Sequence, residues 1–145
     1  MAMLQRHDPP VEGADPVVHL TVRASLHAPA VARAFIRSAV ELLGSTAPDD
    51  VVLLTSEAVT NSVVHTRTDA VEVSLFRHGD AVHVEVTDAD PAEPEVQTAD
   101  PTRVGGFGVR LIDQLADEWG VAPVPGEGKC VWFEVALPEG QPVVP

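Results

Sequence analysis

"SEAVTNSVVHT", residues 56–66, carries Glu57 and Asn61 four positions apart in a run that otherwise reads as core. At about 100° per residue, four positions advance a helix by only about 40°, so both side chains leave on one face. Leu53 and Val64 fall just to one side of the pair and Leu54 and Ala58 to the other, which sets a carboxylate and a carboxamide inside the apolar arc. An unpaired carboxylate taken out of water costs several kcal/mol, so something must hydrate it or bind it. Two readings remain open. The pair can sit at the rim of the core, satisfied by water or neighbouring backbone. Alternatively, a carboxylate beside an amide oxygen can hold Mg²⁺ or its waters and accept a proton, since Mg²⁺ prefers hard oxygen ligands.

Outward from this stretch, "STAPDDVVLLT" leads into the same helix, with Thr46 near a cap position and Asp49 and Asp50 suited to its N-terminal dipole; the helix runs to about His65. Upstream, "VVHLTVR" (17–23) alternates as a strand. "HAPAVARAFIRSAVELLG" follows, with Pro29 in the first turn, Val31, Phe35, Ile36, Val40 and Leu43 at helical spacing, and Gly44 as a stop. Downstream, "VEVSLFR" (71–77) and "AVHVEVTD" (81–88) keep period two around "HGD" and predict a hairpin. A third helix is expected from Gly108 through Trp119 to a stop at Gly120, then "VAPV", a "PGEG" turn and "KCVWFEVAL" as a closing hairpin. The order β α α β β α β β predicts an α+β fold, a two-layer α/β sandwich of a mostly antiparallel sheet covered by three helices. One domain is expected over 17–138, between a disordered leader (1–16) and a short tail (139–145).

Three further features carry chemistry. Asp88 ends an apolar strand and opens the Pro- and Asp-bearing stretch 89–106; it is either a turn initiator or an acceptor for an amino group such as that of adenine. That stretch exceeds the 12 to 15 residues above which loops are uncommon and often functional, and is a candidate lid. "VGGFGVRLIDQLADEWG" places Gly105, Gly106 and Gly108 at a helix start, where free N–H groups and the dipole favour phosphate. A dinucleotide-binding reading fails, because "GGFG" does not follow a strand and lacks the third glycine. "GEGKCVWF" brings Lys129 and Cys130, by default a solvated strand-start residue and a small buried one.

The formal charge of −13, from 22 acidic against nine basic side chains, repels nucleic-acid phosphates and disfavours direct DNA or RNA binding. A single cysteine forms no internal disulfide, and no Cys/His cluster has structural-zinc spacing. No apolar run approaches about 18 residues and no basic leader precedes one, so a membrane span is not expected and the cytoplasm is the expected location.

"SEAVTNSVVH", "VEVTDAD", "GGFGVRLIDQLADEWGV" and "GKCVWFEV", in this order, resemble the nucleotide-binding boxes of the GHKL (gyrase, Hsp90, histidine kinase, MutL) ATPase superfamily. The likeness spans roughly residues 17–137 and is greater to single-domain anti-sigma-factor serine kinases and their actinobacterial relatives. It implies Glu57 as general base, Asn61 as Mg²⁺ ligand, Asp88 as reader of the adenine amino group, and Gly106 and Gly108 as the glycine box that meets the phosphates. His65 stands where such proteins often carry His. Two departures are visible. Ala89, Asp90, Pro91 and Ala92 replace the glycine-bearing turn expected after Asp88, and Cys130 stands where a threonine commonly supports that aspartate.

By this resemblance the chain is expected to bind ATP and Mg²⁺ and to act as a serine/threonine protein kinase in transcription regulation by partner switching. It would phosphorylate an anti-sigma-factor antagonist of the STAS type and bind a sigma factor; pairing with a second copy is left open. Arg103, Arg110 or Lys129 would neutralise remaining phosphate charge. The alternative is a degenerate module that acts only by protein–protein binding, which the two departures favour.

Overall fold

A computed structural model describes residues 17–90, 106–124 and 128–138. The predicted leader, the lid stretch from 91 to 105, most of the "PGEG" turn and the tail lie outside those residues. The elements are β1 (Val18–Arg23), α1 (Ala28–Leu42), α2 (Asp49–His65), β2 (Ala70–His78), β3 (Ala81–Asp88), α3 (Gly106–Leu115), β4 (Glu118–Val124) and β5 (Gly128–Ala136). The strands form one sheet in the order β1-β2-β3-β5-β4, every pair antiparallel, and all three helices pack together on one side. The α+β two-layer architecture is therefore the one the element order predicts.

α1 buries Ala28, Ala32, Ile36, Ala39 and Val40, the i, i+4 and i+3 spacing of one helix face. Val31, expected on that face, is instead 41% exposed, because the small Ala28, Ala32 and Ala39 bring the helix backbone close to its neighbours and set the buried stripe on their side. The helix stops as predicted at Gly44. Its φ of 86° lets Gly44 N–H reach the Glu41 carbonyl and Ser45 N–H reach the Val40 carbonyl, closing the end of the helix. α2 begins at Asp49, and Pro48 occupies the cap position expected of Thr46; no side chain caps the end, and Asp49 and Asp50 in the first turn supply the favourable charge. The buried Thr55 hydroxyl is satisfied locally, Oγ1 donating to the Val51 carbonyl at 2.8 Å.

The register sorts the strand residues onto two faces. Val18, Leu20 and Val22 of β1, Val71, Val73 and Leu75 of β2, Val82, Val84, Val86 and Asp88 of β3, and Lys129, Val131, Phe133 and Val135 of β5 share the helix-facing side. With Ile36, Leu54, Val59 and Ile112 most of these form the main core, where each fully buried large aliphatic or aromatic side chain contributes about 1.5–3 kcal/mol. Trp119, expected as the last residue of the third helix, lies in β4 opposite Phe133. The helix stops at Leu115 because the strand captures the next residues: Asp117 N–H donates to the Glu134 carbonyl at 2.8 Å, and Asp117 Oδ2 accepts from Ala136 N–H at 2.7 Å.

The other sheet face carries a polar cluster of its own. The His83 ring is fully buried and stacked between Phe76 and Trp132, with centroids 4.5 and 5.4 Å away. Its Nδ1 meets Glu134 Oε2 at 2.8 Å and its Nε2 meets Glu85 Oε2 at 2.9 Å, while His78 Nδ1 meets the same Glu134 oxygen at 2.8 Å. Burial pushes the Glu134 carboxyl up, but hydrogen bonds from His83 and His78, with their positive charge, outweigh it and hold the carboxyl below its ordinary 4.5. A carboxyl lowered on folding adds stability that is complete above 4.5 and lost as pH falls through the lowered value. Glu134→Gln is therefore expected to cost about 1.5–3 kcal/mol at neutral pH in denaturant unfolding, and the gap to the parent should close on acidification below that window. A gap that stays constant with pH would remove the ion pairs from this account.

Candidate functional site

Glu57 and Asn61 are both half-buried, one turn apart on α2. Sequence geometry placed them inside the apolar arc, and the structure corrects this. Leu53 and Val64, on their flank, are 40% and 54% exposed, while the core side of the helix is built from Val51, Leu54, Thr55, Ala58, Val59 and Ser62. The pair therefore lies on a partly open strip. Neither side chain forms a hydrogen bond or ion pair with another described residue. Two half-hydrated oxygen donors held one turn apart by a packed helix, and engaged by no partner among the described residues, fit an external hard cation such as Mg²⁺. Among the described residues no group of three or more His, Cys, Asp or Glu side chains could hold a metal by itself, so the remaining ligands would be waters and phosphate oxygens.

α3 packs against α2 and starts at Gly106, with Gly108 in its first turn. The N–H groups of a first turn have no intrahelical acceptor, and glycine lets a bulky anion approach them. His65 is the last residue of α2 and Arg110 lies within α3; Arg103 falls outside the described residues.

Asp88 is 3% exposed at the end of β3, on the helix-facing side of the sheet. Ser62 Oγ of α2 donates to its Oδ2 at 3.3 Å, Asp90 N–H to its Oδ1 at 3.0 Å, and Lys129 Nζ to the same Oδ1 at 3.2 Å. Cys130 does not support Asp88, because the register pairs Cys130 with Thr87 and Lys129 with Asp88, and side chains alternate between faces along each strand. Lys129 is thus the strand β5 partner of Asp88, while Cys130 is buried on the opposite face with Ala122 across from it.

The two described residues after Asp88 are held without the expected glycines. Ala89 N–H donates to Thr68 Oγ1 at 3.0 Å, and Asp90 Oδ2 accepts from Arg67 N–H at 3.0 Å. Thr68 Oγ1 in turn donates to the Ala70 carbonyl at 2.6 Å, and Thr66 Oγ1 to the Ser62 carbonyl. The exit of β3 is thereby clamped to the link between α2 and β2, which fixes the Asp88 carboxylate relative to the helix bearing Glu57 and Asn61. Sequence reasoning missed this clamp, although the threonine spacing of "HTRTDA" (65–70), with hydroxyls at 66 and 68 on either side of Arg67, was its signal.

Residues 22–135 match the model of a family described as Histidine kinase-like ATPase domain. Among solved structures, the chain is similar to the histidine kinase domain from the Erythrobacter litoralis EL346 blue-light activated histidine kinase, at 26% identity and a TM-score of 0.47. The match covers 63% of this chain and 45% of that one, so this chain spans less than half of the matched structure. A search of curated proteins finds no match.

Proposed function

Because the chain belongs to the histidine kinase-like ATPase domain family, and so to the GHKL superfamily, we propose that it binds Mg·ATP along the α2 strip and transfers phosphate to a serine or threonine of a partner protein. The single observation that carries this reading is the unengaged Glu57 and Asn61 pair, kept half in water by a helix that could have buried hydrocarbon there. In this reading Asn61 offers its amide oxygen to the metal, Asp88 accepts from the adenine amino group, and the first-turn N–H groups at Gly106 and Gly108 donate to phosphate oxygens. Glu57 orients the incoming hydroxyl and takes its proton. Asn61 would hold magnesium together with waters, and the ion would supply positive charge to offset that of the transferring phosphate.

The partners proposed are a STAS-type anti-sigma-factor antagonist as phosphate acceptor and a sigma factor as bound ligand, with regulation of transcription as the outcome. Incubation of the full chain with γ-labelled ATP, Mg²⁺ and purified STAS-domain proteins tests it. Label on a STAS protein that survives hot acid, as a phosphoserine or phosphothreonine does, supports the kinase reading. Tight ATP binding with no transfer to any acceptor would favour the second reading, a module that acts by protein–protein binding alone. The Lys129 ammonium on the Asp88 carboxylate is the observation on that side, since it occupies part of the expected base reader.

Asn61→Ala is expected to weaken Mg·ATP binding about tenfold, the worth of one contact to a charged group, and to leave metal-free ATP binding unchanged. Titration with and without Mg²⁺ checks this, and equal losses in both conditions would count against a metal role for Asn61.

A further inference from the structure

Lys129 has no role in the reading above, and its surroundings are specific. The ammonium lies 3.2 Å from Asp88 Oδ1 with a side chain only 15% exposed, and Asp88 is its one partner among the described residues. A lysine ammonium has three donors. One is taken, so two remain in a place with little access to water, where leaving them unmade is costly. Asp88, for its part, has about four lone-pair positions, of which Asp90 N–H and Lys129 fill two on Oδ1 and Ser62 fills one on Oδ2. Counting the described residues, the pair still presents one acceptor on Oδ2 and, on Nζ, N–H donors not yet taken.

A carboxylate alone can only accept, so it can read the amino group of a base but not a neighbouring ring acceptor. An acceptor with a donor next to it matches two adjacent atoms of an adenine edge, the 6-amino group and the ring N1 acceptor. It also cures a repulsion, because a ring nitrogen lone pair set beside the carboxylate would otherwise face Oδ1 with no hydrogen between them. Resting on the proposal that Asp88 reads the base, we propose that Lys129 is a base-reading residue, donating from Nζ to adenine N1 while Asp88 Oδ2 accepts from the 6-amino group. This removes Lys129 from the candidates for phosphate neutralisation and places it at the opposite end of the nucleotide.

Calorimetric titration of the full chain with Mg·ATP and with Mg·1-deaza-ATP, in which N1 is a C–H, tests the assignment. The parent protein is expected to bind the analogue about tenfold more weakly than ATP. Lys129→Met should lower ATP affinity to the analogue's level while leaving analogue affinity unchanged, and Lys129→Arg, which keeps a donor, should retain discrimination between the two. Thermal unfolding of each variant establishes that it is folded. Equal affinity of the parent for both nucleotides, or full discrimination by Lys129→Met, overturns the assignment while nucleotide binding itself stands. No binding of either nucleotide by the parent overturns the proposed function and this assignment together.

Discussion

Glu57→Gln is expected to keep Mg·ATP affinity close to that of the parent and to slow phosphoryl transfer by about 10²–10⁴-fold, the range of a lost general base. The amide has the shape of the carboxyl and can still meet a hydroxyl, but it takes no proton at any working pH. The split between binding and turnover is what makes the variant informative. Glu57 is half-buried and has no hydrogen-bond partner among the described residues, so its replacement by an amide of the same shape breaks no described hydrogen bond and should leave the unfolding midpoint unchanged. Label transfer from the γ-phosphate, measured beside a binding titration, checks both arms. Transfer at the parental rate would take Glu57 out of the chemistry, and a parallel collapse of binding would make it a ligand-holding group instead.

Gly128→Ala is expected to destabilise the protein by about 3 kcal/mol in denaturant unfolding. Two effects add at this position. Gly128 has φ of 117°, a conformation that side chains rarely adopt, and a Cβ placed there would lie 1.9 Å from the Asp88 carbonyl oxygen and 2.7 Å from Ala89 Cα. Both obstacles are backbone, held by the clamp from Arg67 and Thr68, so no rotamer change relieves them. The start of β5 must move away from the end of β3, which separates Lys129 from Asp88. The variant should therefore lose nucleotide affinity as well as stability, and a parental unfolding curve would show that the close approach is not needed.

The sequence made the element order legible because each element announced itself by period and punctuation. Alternating valines marked β2 and β3, Gly44 and Pro29 bracketed α1, and a carboxylate and amide four residues apart pointed to one face of α2. What was not legible depended on contacts between distant segments. The spacing of Leu115, Ala116 and Trp119 continues a helix, yet Asp117 is held by β5 backbone on both its N–H and its carboxylate, and that tertiary pairing overrides local preference. The choice between Lys129 and Cys130 turned on register, where a shift of one residue exchanges the two faces of a strand. Only the pairing of Asp88 with Lys129 settles it. The His83, Glu85 and Glu134 cluster was hidden for the same reason, since Glu134 is 51 positions from His83 and meets it only across paired strands.

The exposure of the Glu57 and Asn61 strip follows similarly from packing. Period alone gives an arc of apolar residues about the pair, and only the placement of α2 on the sheet decides which edge of that arc is sealed. The sealed edge runs through Leu54, Ala58 and Ser62, and the open one through Leu53 and Val64. The polar pair stands at the boundary, half-buried, just before Ser62 on the same helix, and Ser62 itself contacts Asp88.

Calorimetric titration of the full chain with ATP, in Mg²⁺ and again in chelator, tests the central claim most directly. A saturable one-to-one isotherm that tightens with Mg²⁺ is the predicted result. Absence of binding in both conditions, or an affinity indifferent to the metal, would contradict it.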